Sequence, residues 1–157
     1  DNLHGVMAGG QSDGYRVTHD GGATWVTHQM PAGANGYGVQ LVDASHGWMV
    51  GSNTILHTDD GGDTWQRQGP PTTNDALLRV DFVDLEHGWA VGGQPTQDGE
   101  GPAVIMATVD GGQTWTRQSA GSATYRYDVA FTDATHGWAV GTGLLKTSDG
   151  GATWVSG

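Results

Sequence analysis

Thr147-Ser148-Asp149-Gly150-Gly151-Ala152-Thr153-Trp154 decides how this chain folds, because the same octet occurs three more times. Residues 18–25 read T-H-D-G-G-A-T-W, 58–65 read T-D-D-G-G-D-T-W, and 108–115 read T-V-D-G-G-Q-T-W. Every copy fits T-x-D-G-G-x-T-W without a mismatch. The four aspartates, Asp20, Asp60, Asp110 and Asp149, stand 40, 50 and 39 residues apart. A period in this range signals a repeat architecture, in which each repeat is one supersecondary unit stacked on its neighbours.

Each octet reads as a tight turn between two strands. The Asp carboxylate is expected to accept backbone N–H groups one or two residues on, as in an Asx-turn. The Gly pair supplies positive φ at no steric cost. The Thr suits the strand that follows. The box tryptophans Trp25, Trp65, Trp115 and Trp154 place large apolar surfaces between neighbouring sheets. Asp59-Asp60-Gly61-Gly62-Asp63 is faintly like a calcium loop, but such a loop needs further oxygen ligands and a Glu at its twelfth position. Val109 and Gln113 stand where the third copy would need oxygens. The octet is therefore read as structural, with no metal.

The last repeat shows the frame most clearly. Residues 127–133 alternate as a strand, 136–141 (H-G-W-A-V-G) form a second, 144–147 a third, and Trp154 opens a fourth. Four short strands in about 40 residues, joined by turns, make one propeller blade. We label them A to D from the innermost outward. The fold class is all-β, a β-propeller, with blades over 1–30, 31–70, 71–119 and 120–157. The first blade lacks its innermost strand, because His4-Gly5 already starts a B strand, and Val6 there replaces the Trp found at 48, 89 and 138. Three arrangements answer the open blade: a segment of a longer propeller, two copies in an eight-bladed ring or a polymer, or a self-closed four-blade ring.

The octet is the Asp-box, or bacterial neuraminidase repeat. The chain resembles Asp-box β-propellers, and among them the photosystem II assembly/stability-factor type, in which the box follows a G-W-A-V-G strand. The resemblance covers nearly the whole chain. It implies a propeller, and a scaffold that holds a protein or peptide; other Asp-box proteins are sialidases, other glycoside hydrolases and sorting receptors.

Composition narrows the partners. Seventeen acids against six bases give a net charge of −11, and eight of those acids are periodic, in the boxes and in D-x-x-H-G. This balance argues against nucleic acid, which demands clustered Lys and Arg. No apolar run approaches the ~18 residues that span a bilayer. There is no cysteine, hence no disulfide framework or thiol chemistry. The chain opens at Asp1 without a Met, which reads as a mature or excised piece, and seven Trp with one Lys read as extracytoplasmic. No cofactor is expected. The histidines His4, His46, His87 and His136 are read as turn residues bonding the Asp three before, since equivalent blade positions lie too far apart around a ring to share a metal at ~2 Å.

Function is expected where the repeat breaks down. The D-to-A and B-to-C loops share one face and are irregular, and loops on a rigid scaffold carry binding. The third repeat has a ten-residue B-to-C insertion, 93–102, holding Asp98 and Glu100. At the start of strand A, Arg79, Asp81, Tyr125, Arg126 and Asp128 fall near the mouth of the central channel. These seven are the candidate binding residues, against a plainer reading as inter-blade bridges. No catalytic residue is assigned. The leading function is a non-catalytic scaffold for a protein or peptide. The alternatives are a glycoside hydrolase, which needs two carboxylates at ~5–9 Å such as Asp81 and Asp128, and a self-assembling filament protein. Carbohydrate and further copies of the chain are the remaining partner classes. A sialidase is disfavoured, because Arg16, Arg67, Arg79, Arg117 and Arg126 show no triad pattern.

Overall fold

The computed structural model describes residues 3–9, 14–69, 75–97, 99–119, 121 and 124–157, without the side chains of 99 and 100. Among these residues there are strands and no helix. The first sheet has three strands, β1 (Gly5–Ala8), β2 (Tyr15–Thr18) and β3 (Val26–His28). The second has β4 (Gly38–Leu41), β5 (Gly47–Gly51), β6 (Thr54–Thr58) and β7 (Gln66–Arg67). The third has β8 (Ala76–Phe82), β9 (Gly88–Thr96), β10 (Gly99–Thr108) and β11 (Thr116–Gln118). The fourth has β12 (Arg126–Phe131), β13 (Gly137–Gly141), β14 (Gly143–Thr147) and β15 (Val155–Ser156). Each sheet is an antiparallel meander in chain order. The innermost strands lie side by side, β1 by β4, β4 by β8 and β8 by β12, which is the arrangement of propeller blades.

The Asp-box turn is built alike four times. Thr18 Oγ1 donates to Asp20 Oδ1 at 2.8 Å and accepts the Gly22 N–H at 2.9 Å. Asp20 then accepts the Thr24 N–H at 2.9 Å and its hydroxyl at 2.6 Å. The carboxylate thus reaches four residues on, not the one or two expected of an Asx-turn. The cause is the Gly pair: both glycines of every copy have positive φ, from 69° to 102°, and this folds the second Thr back onto the Asp. The D-x-x-H-G turns are equally local. The His46 N–H donates to Asp43 at 2.7 Å and its Nδ1 lies 2.9 Å from the same carboxylate; His87 and Asp84 repeat the pair.

Apolar layers fill the three seams between blades. Tyr15 and Val17 meet Met49, Leu56 and Trp65 in the first. Trp48 and Val50 meet Leu77, Phe82 and Trp115 in the second. Trp89 and Val91 meet Val129, Ala139 and Leu145 in the third. The B-strand tryptophans stack flat on the next blade, Trp48 on Phe82 at 3.6 Å between ring centres and Trp89 on Phe131 at 3.4 Å. Trp138, at the same place in the fourth blade, is instead 41% exposed, because no blade among the described residues covers its face.

A second departure concerns the insertion at 93–102. It is not an irregular loop but an extension of β9 and β10 into a long hairpin, with Gly99 opposite Thr96 and Glu100 opposite Pro95. The register shifts between Glu100 and Ala103, and this bulge accommodates Pro102, which cannot donate to a ladder. Gly101 lies against the Gln94 carbonyl, where a Cβ would come within 2.4 Å, so a side chain there would push the two strands apart.

Candidate functional site

Four of the candidate residues fall in two groups, and only the second lies on the face that carries the D-to-A and B-to-C connections. Asp81, next to last in β8, sits toward the A-to-B turn rather than at the start of its strand, because strand A enters at Ala76. Asp81 and Asp128 form the first. Asp81 accepts the Phe131 N–H at 2.6 Å and the Gln40 amide at 3.3 Å. Burial pushes its carboxyl above the ordinary carboxylate value, the hydrogen bonds partly offset this, and the charge of Asp128 adds to the rise. Asp128 itself accepts the Val129 N–H at 3.0 Å.

Tyr125 and Arg126 form the second group, at the junction between the fourth blade and the long hairpin. The Tyr125 N–H donates to the Gly101 carbonyl at 3.4 Å, and Pro102 bridges to Thr124. The Tyr125 ring lies over Gly93, where a Cβ would fall 2.4 Å from it. Its centre is 6.3 Å from that of Tyr127, a half-exposed ring. Arg126 is buried, and its Nη1 donates to the Gly143 carbonyl at 3.0 Å while Nε has no acceptor among the described residues. Burial lowers its pKa. It lines an open cleft of about 540 Å³ with Gly121, Thr124, Thr142, Leu144 and Trp154. Such a volume lies within the range of small-ligand sites.

Arg79 stands apart. It is exposed, and its Nη1 donates to the carbonyls of Tyr37 at 3.3 Å and Leu78 at 2.9 Å. Asp98 lies outside the described residues. Glu100 is placed on β10, with its side chain likewise outside.

Sequence reasoning missed one charged group on this face. Asp75 is buried, and it accepts Arg117 Nη1 at 3.2 Å and Gln94 Nε2 at 3.0 Å. Arg117 shares its place, two after the box Trp, with Arg67, and Arg67 caps the carbonyls of Ala32 and Asn53. That shared place was a signal for structure; the carboxylate it finds in the third blade lies in an unpatterned loop and gave none.

Residues 1–70 match the family described as Photosynthesis system II assembly factor YCF48. The chain is 32% identical over 81 residues to the Photosystem II assembly lipoprotein Ycf48 of Prochlorococcus marinus (strain MIT 9312), covering 49% of this chain and 23% of that one. A solved structure of YCF48 bound to D1 peptide superposes with TM-score 0.58 at 18% identity, over 99% of this chain and 79% of that one. This is an Asp-box repeat propeller chain, most like the photosystem II assembly-factor type. An ancestral GH74 enzyme also shares the fold, with TM-score 0.74 at 17% identity over 99% of this chain and 24% of that one. The Asp-box chain spans under a quarter of the length of the Prochlorococcus relative, so the likeness describes its blades and not a whole protein's activity.

Proposed function

We propose that the chain is a non-catalytic propeller scaffold whose loop face binds a protein segment in extended form, on the extracytoplasmic side of a membrane. The carrying observation is the Tyr125–Arg126 junction. There an aromatic ring, a buried guanidinium and an open cleft meet where two blades join. Aromatic rings and arginines are the side chains that anchor protein interfaces, and here the buried Arg126 supports the cleft beside which the Tyr125 and Tyr127 rings stand. The solved YCF48 named as bound to D1 peptide, and the relative named a lipoprotein, support this reading by analogy of fold and family. The glycoside-hydrolase alternative needs two carboxylates with opposed roles across a sugar. Asp81 is instead held by the Phe131 N–H, which argues against it as an acid or a nucleophile.

The test is fluorescence polarisation with a labelled D1 peptide, followed by a peptide array. Tyr125→Ala and Tyr127→Ala are expected to weaken a bound peptide by about tenfold or more. Unchanged affinity in both variants removes the loop face as the site. Hydrolysis of a chromogenic glycoside panel, lost in Asp81→Asn, would establish the enzyme instead.

A further inference from the structure

The Asp-box face is uniform except in one blade, and the repeat itself supplies the comparison. In every blade the box is tied to the A-to-B turn. The Gly21, Gly61, Gly111 and Gly150 N–H groups donate to the carbonyls of Leu3, Ser45, Glu86 and Thr135. These bonds join backbone to backbone, so the turns do not depend on which side chains stand beside them. Ahead of the turn histidine the four blades carry Asn2-Leu3, Ala44-Ser45, Leu85-Glu86 and Ala134-Thr135. Ahead of the box aspartate they carry His19, Asp59, Val109 and Ser148. The third blade alone has a large apolar residue both after its turn aspartate and before its box aspartate. It alone places an acid next to the histidine.

These three departures converge in space. Leu85 is 43% exposed and Val109 70%, and neither belongs to the apolar layers that hold the blades together. Both line one groove of about 540 Å³ between the second and third blades, with Glu86 and Asp110 beside them and His46 and His57 across it. Burial pushes the His57 pKa down and Asp59 works against it, so a third carboxylate stands at this edge. Among the described residues no Lys or Arg lines the groove. Arg67, Arg79, Arg117 and Arg126 bond to groups at the loop face instead. Trp48 lies in the groove at 1% exposure, so its indole gives a sugar no open ring to stack on. No three His, Asp or Glu among the described residues could hold a metal ion.

We propose that this groove docks a protein segment carrying an apolar side chain flanked by Lys or Arg. The apolar side chain packs between Leu85 and Val109, and the flanking cations meet Glu86, Asp110 and Asp59. Covering two exposed apolar residues supplies the attraction, and apolar surface rimmed by polar groups is what marks a protein-interaction site. The acidic rim selects the sign of the partner, because like charges brought together at an interface are costly. Both blades that form the groove lie within this chain, on the face opposite the Tyr125–Arg126 junction. The proposal is therefore independent of the loop-face reading.

A peptide array tests it. Each member carries one Leu, Ile or Phe flanked by Lys or Arg, and control members replace the apolar residue with Ser or the cations with Glu. The chain is expected to be retained on the cationic–apolar members, and the tightest of these, labelled, is titrated by fluorescence polarisation. Leu85→Ala, Glu86→Ser and Val109→Ser together give the third blade residues that the second or fourth already uses at these places, so the melting curve should be kept. This triple variant is expected to weaken the labelled peptide by about tenfold or more, while Tyr125→Ala leaves it unchanged. Should the triple variant melt lower, Glu86→Lys is the second variant, with the same expectation. Raising salt from about 0.05 M to about 0.5 M should also weaken binding. Retention on no cationic–apolar member overturns the proposal, as does affinity that the variants leave intact. Equal retention on the Ser or Glu controls overturns it too. Loss in Tyr125→Ala in place of the triple variant overturns it and assigns the peptide to the loop face.

Discussion

The Asp81 carboxylate accepts the backbone N–H of Phe131 at 2.6 Å, so a side chain ties the innermost strands of the third and fourth blades. Gln40 does the same one seam earlier. Its Oε1 accepts the Phe82 N–H at 2.6 Å, and its Nε2 donates to the Phe82 carbonyl at 3.2 Å and to Asp81 at 3.3 Å. Innermost strands of neighbouring blades run side by side without sharing a ladder, and a backbone N–H turned away from its own sheet still needs an acceptor. These two side chains supply it and fix the spacing of the strands from which the loop face rises.

Replacing Asp81 separates its hydrogen bond from its charge. Asp81→Ala leaves the Phe131 N–H unsatisfied and is expected to cost about 1–3 kcal/mol. Asp81→Asn keeps an acceptor and removes a charge that burial and Asp128 disfavour, so its loss at pH 7 should be smaller, or reversed. The pH dependence has a definite sign. The folded pKa lies above the unfolded value of about 3.9, so the Asp81 contribution is full below that pH and falls as pH rises through the folded value. Urea unfolding from pH 4 to pH 7 should show Asp81→Asn gaining on the wild type. Parallel profiles would contradict this account.

The second glycine of each B strand has a steric reason that varies along the chain. A Cβ at Gly92 would lie 1.8 Å from the Ala76 carbonyl oxygen, and Gly51 and Gly141 meet Asn35 and Tyr125 carbonyls in the same way. Gly9, the counterpart in the first sheet, has nothing within 4 Å. Gly92→Ala is therefore expected to destabilise by about 3 kcal/mol or more, since backbone must move, and Gly9→Ala to fall within about 0.5 kcal/mol of wild type. Thermal melts of the two variants decide it.

Most of the fold was legible because the Asp-box is a purely local device. Thr18, Asp20, Gly22 and Thr24 satisfy one another, so sequence alone carries the turn, and periodic spacing carries the blades. The site was less legible because its contacts are long-range. Nothing beside Asp81 in the chain announces Phe131, fifty positions on, and Asp75 meets Arg117 across 42 positions. The long hairpin was hidden for a different reason. Its Gly and Pro content reads as a loop, and only the bulge at 100–103 shows how strands tolerate it.

The Asp75–Arg117 pair gives a third prediction. The Asp75 side chain is 1% exposed and that of Arg117 is 43% exposed. Arg117→Met keeps the packing of the stem and removes the charge, leaving Asp75 with the Gln94 amide as its one side-chain partner among the described residues. A fully buried pair broken in this way costs about 3–5 kcal/mol. Solvent at Arg117 screens the interaction, so about 2 kcal/mol is expected here. Arg67→Met, which only releases the Ala32 and Asn53 carbonyls, should cost about 1 kcal/mol or less. Equal losses in paired denaturation curves would show that the charge at position 117 has no role.

Acid should act on the boxes together. The Thr24 hydroxyl and N–H hold Asp20 down to about 2, and Thr153 does the same for Asp149. Burial pushes Asp60 up, but the Thr64 and Thr58 hydrogen bonds outweigh it and leave it at about 2 as well. Asp110 is lowered through Thr114. With unfolded carboxyls near about 3.9, the unfolded chain binds more protons between those values. The box contribution is thus complete above about pH 5 and is lost as pH falls toward 2. Thr153→Val removes the hydroxyl and keeps the N–H. It should lower stability at pH 7 and converge on wild type as pH falls toward 2, because a protonated Asp149 no longer gains from that donor. Urea midpoints at pH 7, 4 and 3 measure the convergence, and a gap that stays constant over that range would mean that the ionised carboxylate is not what the threonine holds.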